Sequence, residues 1–100
     1  MKPAVLHPEA RLELVEAAQY YAAILPKLGQ RFYAVIDQPI AEACASPRTF
    51  RYIRKPARRH FAHEFPYGII YLEHPGNLWI VAVMPLRRKP GYWQHRLPQP

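Results

Sequence analysis

Apolar positions follow two different periods along the chain. In the first half they recur at helical spacing. Ala10, Leu14, Ala17, Tyr21 and Ile24 lie three or four apart and give one stripe, while Arg11, Glu13, Glu16 and Gln19 fall largely off it. His7-Pro8-Glu9 marks the helix start, since proline suits the first turn and glutamate there favours the helix dipole. His7 is a poor N-cap beside Ser or Asp, so packing is expected to hold this end. Pro26 ends the helix by pushing its predecessor out of the α region. Lys27-Leu28-Gly29 is read as a tight connection into a second helix, whose apolar face is Phe32, Val35, Ile36, Ile40 and Ala43 and which Ser46-Pro47 closes. A short link predicts an antiparallel helical hairpin. Pro39 interrupts the second stripe, and an interior proline costs about 3 kcal/mol, so a kink near residues 35–39 or a break and restart is expected.

The second half is patterned as strands. Residues 67–72 and 78–84 are rich in Ile, Val, Tyr and Trp and flank His74-Pro75-Gly76-Asn77. Pro-Gly suits the centre of a type II turn, so these runs predict a hairpin deep in a sheet. Ala4, Val5 and Leu6 predict a brief first strand. Residues 48–55 alternate base and aromatic and are read as loop or ragged strand. Residues 57–63 predict a strand with Phe61 inward and Arg58 and His60 on the other face, and Glu64-Phe65-Pro66 turns the chain into the hairpin. The order β-α-α-β-β-β gives an α+β domain, with the helical hairpin on one face of a small, mostly antiparallel sheet. The other face, or one end of it, is left to carry basic residues.

Composition narrows the picture. One hundred residues make one domain with a modest core, here residues 1–100, with a basic, aromatic tail from about residue 86. The sole cysteine, Cys44, excludes an internal disulfide and a cysteine-only zinc cluster. No apolar run is long enough to span a bilayer, and the start lacks a secretory pattern, so a soluble, cytoplasmic protein is expected, without a membrane partner. The net charge of +7 is unevenly placed: residues 1–47 carry four Lys/Arg against five acids, and residues 48–100 carry ten against Glu64 and Glu73. A one-signed field over half a small domain draws polyanions or an acidic protein partner.

Candidate chemistry is sparse. His60 and His63 are three apart, which on a strand turns them to opposite faces, so they are read as surface histidines and not as a metal pair. Cys44 is read as core. Ser46 and Thr49 are the only hydroxyls of their kinds, which excludes a serine-type triad. The aromatics Tyr20, Tyr21, Phe32 and Tyr33 are read as core packing with half-exposed rings. The patch from Arg48 to Arg59, with Phe50 and Tyr52, has the charge and stacking rings for single-stranded RNA, and equally suits an acidic segment that folds on binding. Tyr92, Trp93 and Arg96 follow the last predicted strand. They are either interface anchors or, for Trp93, a cap folded back on the core.

The segments LELVEAAQYYAAILPKLGQRFYAVI, FPYGIIYL and AVMPLRRKPGYWQHR resemble the RelE/ParE toxin superfamily of bacterial toxin–antitoxin modules. The carrying positions are Glu16-Ala17, Tyr20-Tyr21, Leu28-Gly29 with Phe32, Phe65-Pro66-Tyr67, Ala82-Val83, Arg87 or Arg88, Pro90, Tyr92-Trp93 and Arg96. The resemblance implies a toxin neutralised by a cognate antitoxin with an acidic, amphipathic tail, and no cofactor or metal. Within the superfamily, RelE-like members cut mRNA on the ribosome and ParE-like members act on DNA gyrase. Nuclease members commonly carry an arginine where this chain has Gly68, and strand-two lysines where it has Arg59 and Phe61. Phe-Pro-Tyr and the Pro-x-Tyr-Trp ending lean towards the ParE-like side. Pro85 departs from the histidine that many relatives place after Ala-Val.

The resemblance therefore implies inhibition of DNA gyrase by protein contact, with Arg87, Arg88, Tyr92, Trp93 and Arg96 as target-binding residues. The antitoxin is expected on Arg51, Tyr52, Arg54, Arg58 and Arg59. The alternative is a ribosome-dependent endoribonuclease using Arg59, Arg87 and Tyr92, with His60, His63 or His95 for proton transfer. A third reading is an inactive relative that retains antitoxin binding.

Overall fold

The two apolar stripes form α1 (Pro8–Ile24) and α2 (Pro26–Ala45). A computed structural model describes residues 2–98; positions 1, 99 and 100 of the expected domain lie outside the described residues. The helices are joined by Leu25 alone, extended at φ −156° and ψ 123°, the conformation a following proline imposes. Lys27-Leu28-Gly29 is therefore not a connection but part of the first turns of α2, with Pro26 at the position where a missing N–H costs nothing. A Cβ on Gly29 would meet Ala22 Cβ at 2.7 Å and Ala18 O at 2.9 Å, so this glycine sets the close approach of α2 to α1. No break occurs at Pro39: α2 runs through it, and its ring is fully buried, so packing offsets the lost hydrogen bond. His7 does cap α1, its Nδ1 accepting from Glu9 N–H at 3.0 Å, where packing alone was expected.

The sheet has five strands in the order β1 (Ala4–Leu6), β5 (Asn77–Pro85), β4 (Tyr67–His74), β3 (Ala57–Phe61), β2 (Tyr52–Arg54). β1 runs parallel to β5 and the other pairings are antiparallel, so the α+β class and the element order hold, with residues 52–54 forming one more strand. Gly76 takes φ +85° in the Pro-Gly turn between β4 and β5, as a type II turn requires. The β4–β5 register slips between Ile70 and Tyr71, leaving Val81 as the extra residue of a bulge, and Val81 and Ala82 both pack with the cluster on the far face.

Each face of the sheet carries its own core. Towards the helices, Ile69, Tyr71, Leu78, Ile80 and Val83 meet Ala17, Ala18, Phe32, Ile36 and Ala43. Cys44 belongs to this core, as expected, and burial pushes its thiol pKa up. On the opposite face, Ala57, Ile70, Leu72, Val81, Ala82 and Met84 pack around Trp93. The C-terminal segment thus closes most of that face, and the basic residue Arg59 stands at its β3 end, one of the two places the pattern left for such residues. The faces of β3 are also the reverse of the expectation. Arg58 and His60 pair with Tyr71 and Ile69 on the helix side, whereas Phe61 lies opposite Gly68 on the far side and is 47% exposed. The strand ends at Phe61 rather than His63. Among the described residues no helix is long and apolar enough to cross a membrane.

Candidate functional site

Two surfaces and one clasp hold the residues singled out above. The first surface is the β2–β3 edge. β2 is three residues long and pairs with the start of β3, the Arg51 carbonyl just before it accepts from Arg59 N–H at 3.0 Å, and beside this edge lies a groove of about 520 Å³. Phe50, Arg51, Tyr52, Arg59 and Phe61 line it. Arg58 donates to the Phe50 carbonyl at 2.8 Å and lies 3.8 Å over the Tyr52 ring; Arg59 lies 4.7 Å over Phe61. Phe50 stacks on His60 at 3.6 Å, and His60 Nε2 meets Glu42 Oε1 at 2.7 Å. Arg51, Tyr52 and Arg59 thus share the groove, whereas Arg58 lies on the helix side of β3 and Arg54, at the end of β2, is outside the groove lining.

Carboxylates are scarce at this edge. Glu73 is held by Lys2 and Arg48, and Glu64 by Arg31. The Arg48 hydrogen bond keeps the Glu73 pKa below the usual carboxylate range, and the Arg31 hydrogen bond does the same for Glu64. Among the described residues Arg51, Arg54, Lys55, Arg58 and Arg59 form no ion pair. Such a patch of unpaired cations and half-exposed rings attracts anionic partners.

The second surface lies between α1 and the far end of the β4–β5 hairpin. Two adjoining hollows of about 190 and 220 Å³ share Tyr20, Tyr67, Pro85 and Arg87. Behind them Tyr21, Phe32, Phe65 and Tyr67 form an aromatic cluster with ring centroids 4.6 to 6.3 Å apart. Burial pushes the Tyr67 phenol pKa up, and the Arg87 charge pulls it back. Pro85 ends β5 here, its side chain forming part of the wall.

The clasp is the surprise. Glu13, on α1, accepts from Val83 N–H at 3.0 Å, from the Tyr92 hydroxyl at 2.6 Å and from both terminal nitrogens of Arg96 at 2.8 and 3.1 Å. Arg96 also donates to the Val81 carbonyl at 3.1 Å, and its side chain is only 6% exposed. β1 pairs with β5 only as far as Ile80, so these contacts satisfy the edge of β5 beyond it. Arg96 Nε lies 2.7 Å from Glu9 Oε2, poorly aligned for a hydrogen bond, so that contact is Coulombic. Burial opposes the Arg96 charge, but the Glu13 hydrogen bonds keep its pKa above the ordinary value. Burial, then the bond to Glu13, pushes the Tyr92 phenol pKa far up.

Of the expected target-binding residues, Arg87 and Arg88 are exposed, whereas Trp93 is 1% exposed in the far core and Tyr92 and Arg96 are bound to α1. Trp93 is the core cap. The nuclease set is not assembled: Arg59 lines the β2–β3 groove, Arg87 the α1–β5 hollows, and Tyr92 donates to Glu13. His60 and His95 are each paired with a glutamate, Glu42 and Glu9, and His63 sits in the turn after β3. Gly68 has a packing reason, since a Cβ there would come within 3.2 Å of the His60 carbonyl. The described residues contain no cluster of three or more His, Cys, Asp or Glu placed to hold a metal. Glu9 and Glu13 were legible only as polar positions on α1; nothing in the sequence joins them to a tail more than eighty residues away. Compared with known proteins, the chain matches no protein-family model and no curated protein.

Proposed function

We propose that this protein is the toxin of a type II toxin–antitoxin module of the RelE/ParE kind, acting in the cytoplasm by protein contact on DNA gyrase. The residues that carry the resemblance sit in coherent structural roles. Gly29 and Phe32 pack against α1, Phe65-Pro66-Tyr67 opens β4, Tyr92-Trp93 closes the far face, and Arg96 ties the tail to α1. The observation that favours contact over RNA cleavage is the Tyr92–Glu13 hydrogen bond. Metal-free cleavage of RNA needs a proton acceptor at the 2′-OH, cations at the phosphate and an acid at the leaving oxygen. Tyr92 is committed to a carboxylate, and Arg59 and Arg87 stand on separate surfaces.

The antitoxin's acidic segment docks on the β2–β3 edge, where Arg51, Arg54, Arg58 and Arg59 have no carboxylate partner among the described residues. Purified protein added to gyrase is expected to inhibit supercoiling, and inhibition is relieved by the antitoxin. Intact supercoiling at molar excess of the protein overturns the reading. New mRNA ends on stalled ribosomes would move the function to the nuclease branch.

A further inference from the structure

The α1–β5 groove has a composition that the basic edge lacks. Tyr20 and Ile24 are one helical turn apart on α1, 59% and 61% exposed, and neither enters the core. Pro66, Tyr67 and Pro85 form the opposite wall, so the groove offers rigid apolar sides at little conformational cost on binding. Arg87 stands at its mouth without a carboxylate partner among the described residues; its neighbour Arg88 is turned 4.0 Å over the Tyr92 ring. The adjoining hollow, which Arg87 and Arg88 also line, holds Glu13, already saturated by the clasp, and Glu16, which forms no ion pair among the described residues.

We propose that this groove is the surface that engages the target, and that its occupant is a protein segment presenting an aromatic or branched apolar side chain followed by a carboxylate. The apolar side chain enters between Tyr20, Ile24 and Pro85, and the carboxylate pairs with the Arg87 guanidinium. Nucleic acid is disfavoured because the side chains around Arg87 in the first hollow are apolar or aromatic. The inference rests on the protein-contact reading of function and gives that contact a place and a chemistry.

The test uses the whole chain and a short blocked peptide carrying one tryptophan followed by two aspartates, with binding mapped through amide NMR shifts. Saturable shifts are expected at Tyr20, Tyr67 and Arg87. Replacing the tryptophan by alanine, or the aspartates by asparagines, should weaken binding about tenfold or more each. Ile24→Ser and Arg87→Glu should do the same, while Gln38→Glu on the exposed side of α2 should leave it unchanged. The inference is overturned by shifts confined to the β2–β3 edge, by no saturable shifts at millimolar peptide, or by indifference to Arg87→Glu. Concentration-dependent shifts at the groove without peptide also overturn it, since the occupant is then a second copy of the chain. The gyrase assay stands apart. Peptide binding without inhibited supercoiling keeps the groove and removes the target, whereas inhibition unchanged by Arg87→Glu keeps the target and removes the groove.

Discussion

Two stretches of this chain are written in nearly the same alphabet of arginine and aromatic residues and have opposite fates. Residues 48–61 stay largely at the surface: Tyr52 and Phe61 are almost half exposed, and Arg51, Arg54 and Arg59 lack acidic partners among the described residues. Residues 92–96 turn inward: Trp93 fills the far core and Arg96 is bound by Glu9 and Glu13. What separates them is the position of the acids. Glu9 and Glu13 are one turn apart on α1, facing the open edge of β5, so a basic segment laid there is neutralised and held. The β2–β3 edge receives Glu42, which is taken by His60, and Glu73, which Lys2 and Arg48 share. Composition alone describes a basic protein; the placement of these glutamates decides which half of that charge is free to bind.

The largest test of this contrast is Trp93→Ala against Tyr52→Ala. Emptying a fully buried tryptophan site is expected to cost about 3–5 kcal/mol, while truncating the exposed ring should stay within about 0.5 kcal/mol. Trp93 Nε1 is buried without a hydrogen-bond partner, so Trp93→Phe should cost clearly less than the alanine change. Denaturant unfolding followed by circular dichroism reads all three, and equal costs for Trp93→Ala and Tyr52→Ala would erase the distinction.

Glu13 comes next. Its removal leaves the nearly buried Arg96 with only Glu9, and a broken buried pair costs about 3–5 kcal/mol; the retained Glu9 contact places Glu13→Ala at the lower end of that range. A double-mutant cycle with Arg96→Ala isolates the coupling, expected to exceed about 1 kcal/mol. The exposed Arg31–Glu64 pair, treated the same way, should show a clearly smaller coupling. A coupling of that size for Glu13–Arg96 as well would mean that the clasp is ornamental.

The helices, the hairpin and the α+β class were legible because each was carried by local signals: stripes at three and four, Pro26 and Pro47 at helix ends, Pro75-Gly76 at the turn. The faces of β3 were not, because its sequence has no alternation of apolar and polar residues to choose a side. Arg58 and His60 can face the helix layer only since the Phe50 carbonyl and Glu42 wait there. The clasp was invisible for a related reason: Tyr92, Trp93 and Arg96 read equally well as interface anchors until Glu13 is placed beside them.

The smallest effect concerns alkaline pH. The folded state raises the Tyr92 phenol pKa above the ordinary value of 10.0, through burial first and the Glu13 carboxylate second. A group whose pKa is raised on folding contributes its full stabilisation below the unfolded pKa and loses it as pH climbs towards the folded one. Stability should therefore be flat to about pH 10 and fall beyond it, by up to about 1.4 kcal/mol per pH unit for each such tyrosine. Tyr71, pushed up to about 12 by burial and donating to the Pro47 carbonyl at 2.8 Å, adds a second contribution of the same sign. Tyr92→Phe should remove one tyrosine's share of that slope and Tyr71→Phe another, leaving the share of Tyr67, whose phenol pKa burial also raises. Unfolding free energies measured between about pH 8 and pH 11 decide it. A slope unaltered by Tyr92→Phe would show that the phenol is not held by Glu13 in solution, and would return Tyr92 to the set of residues free to meet a partner.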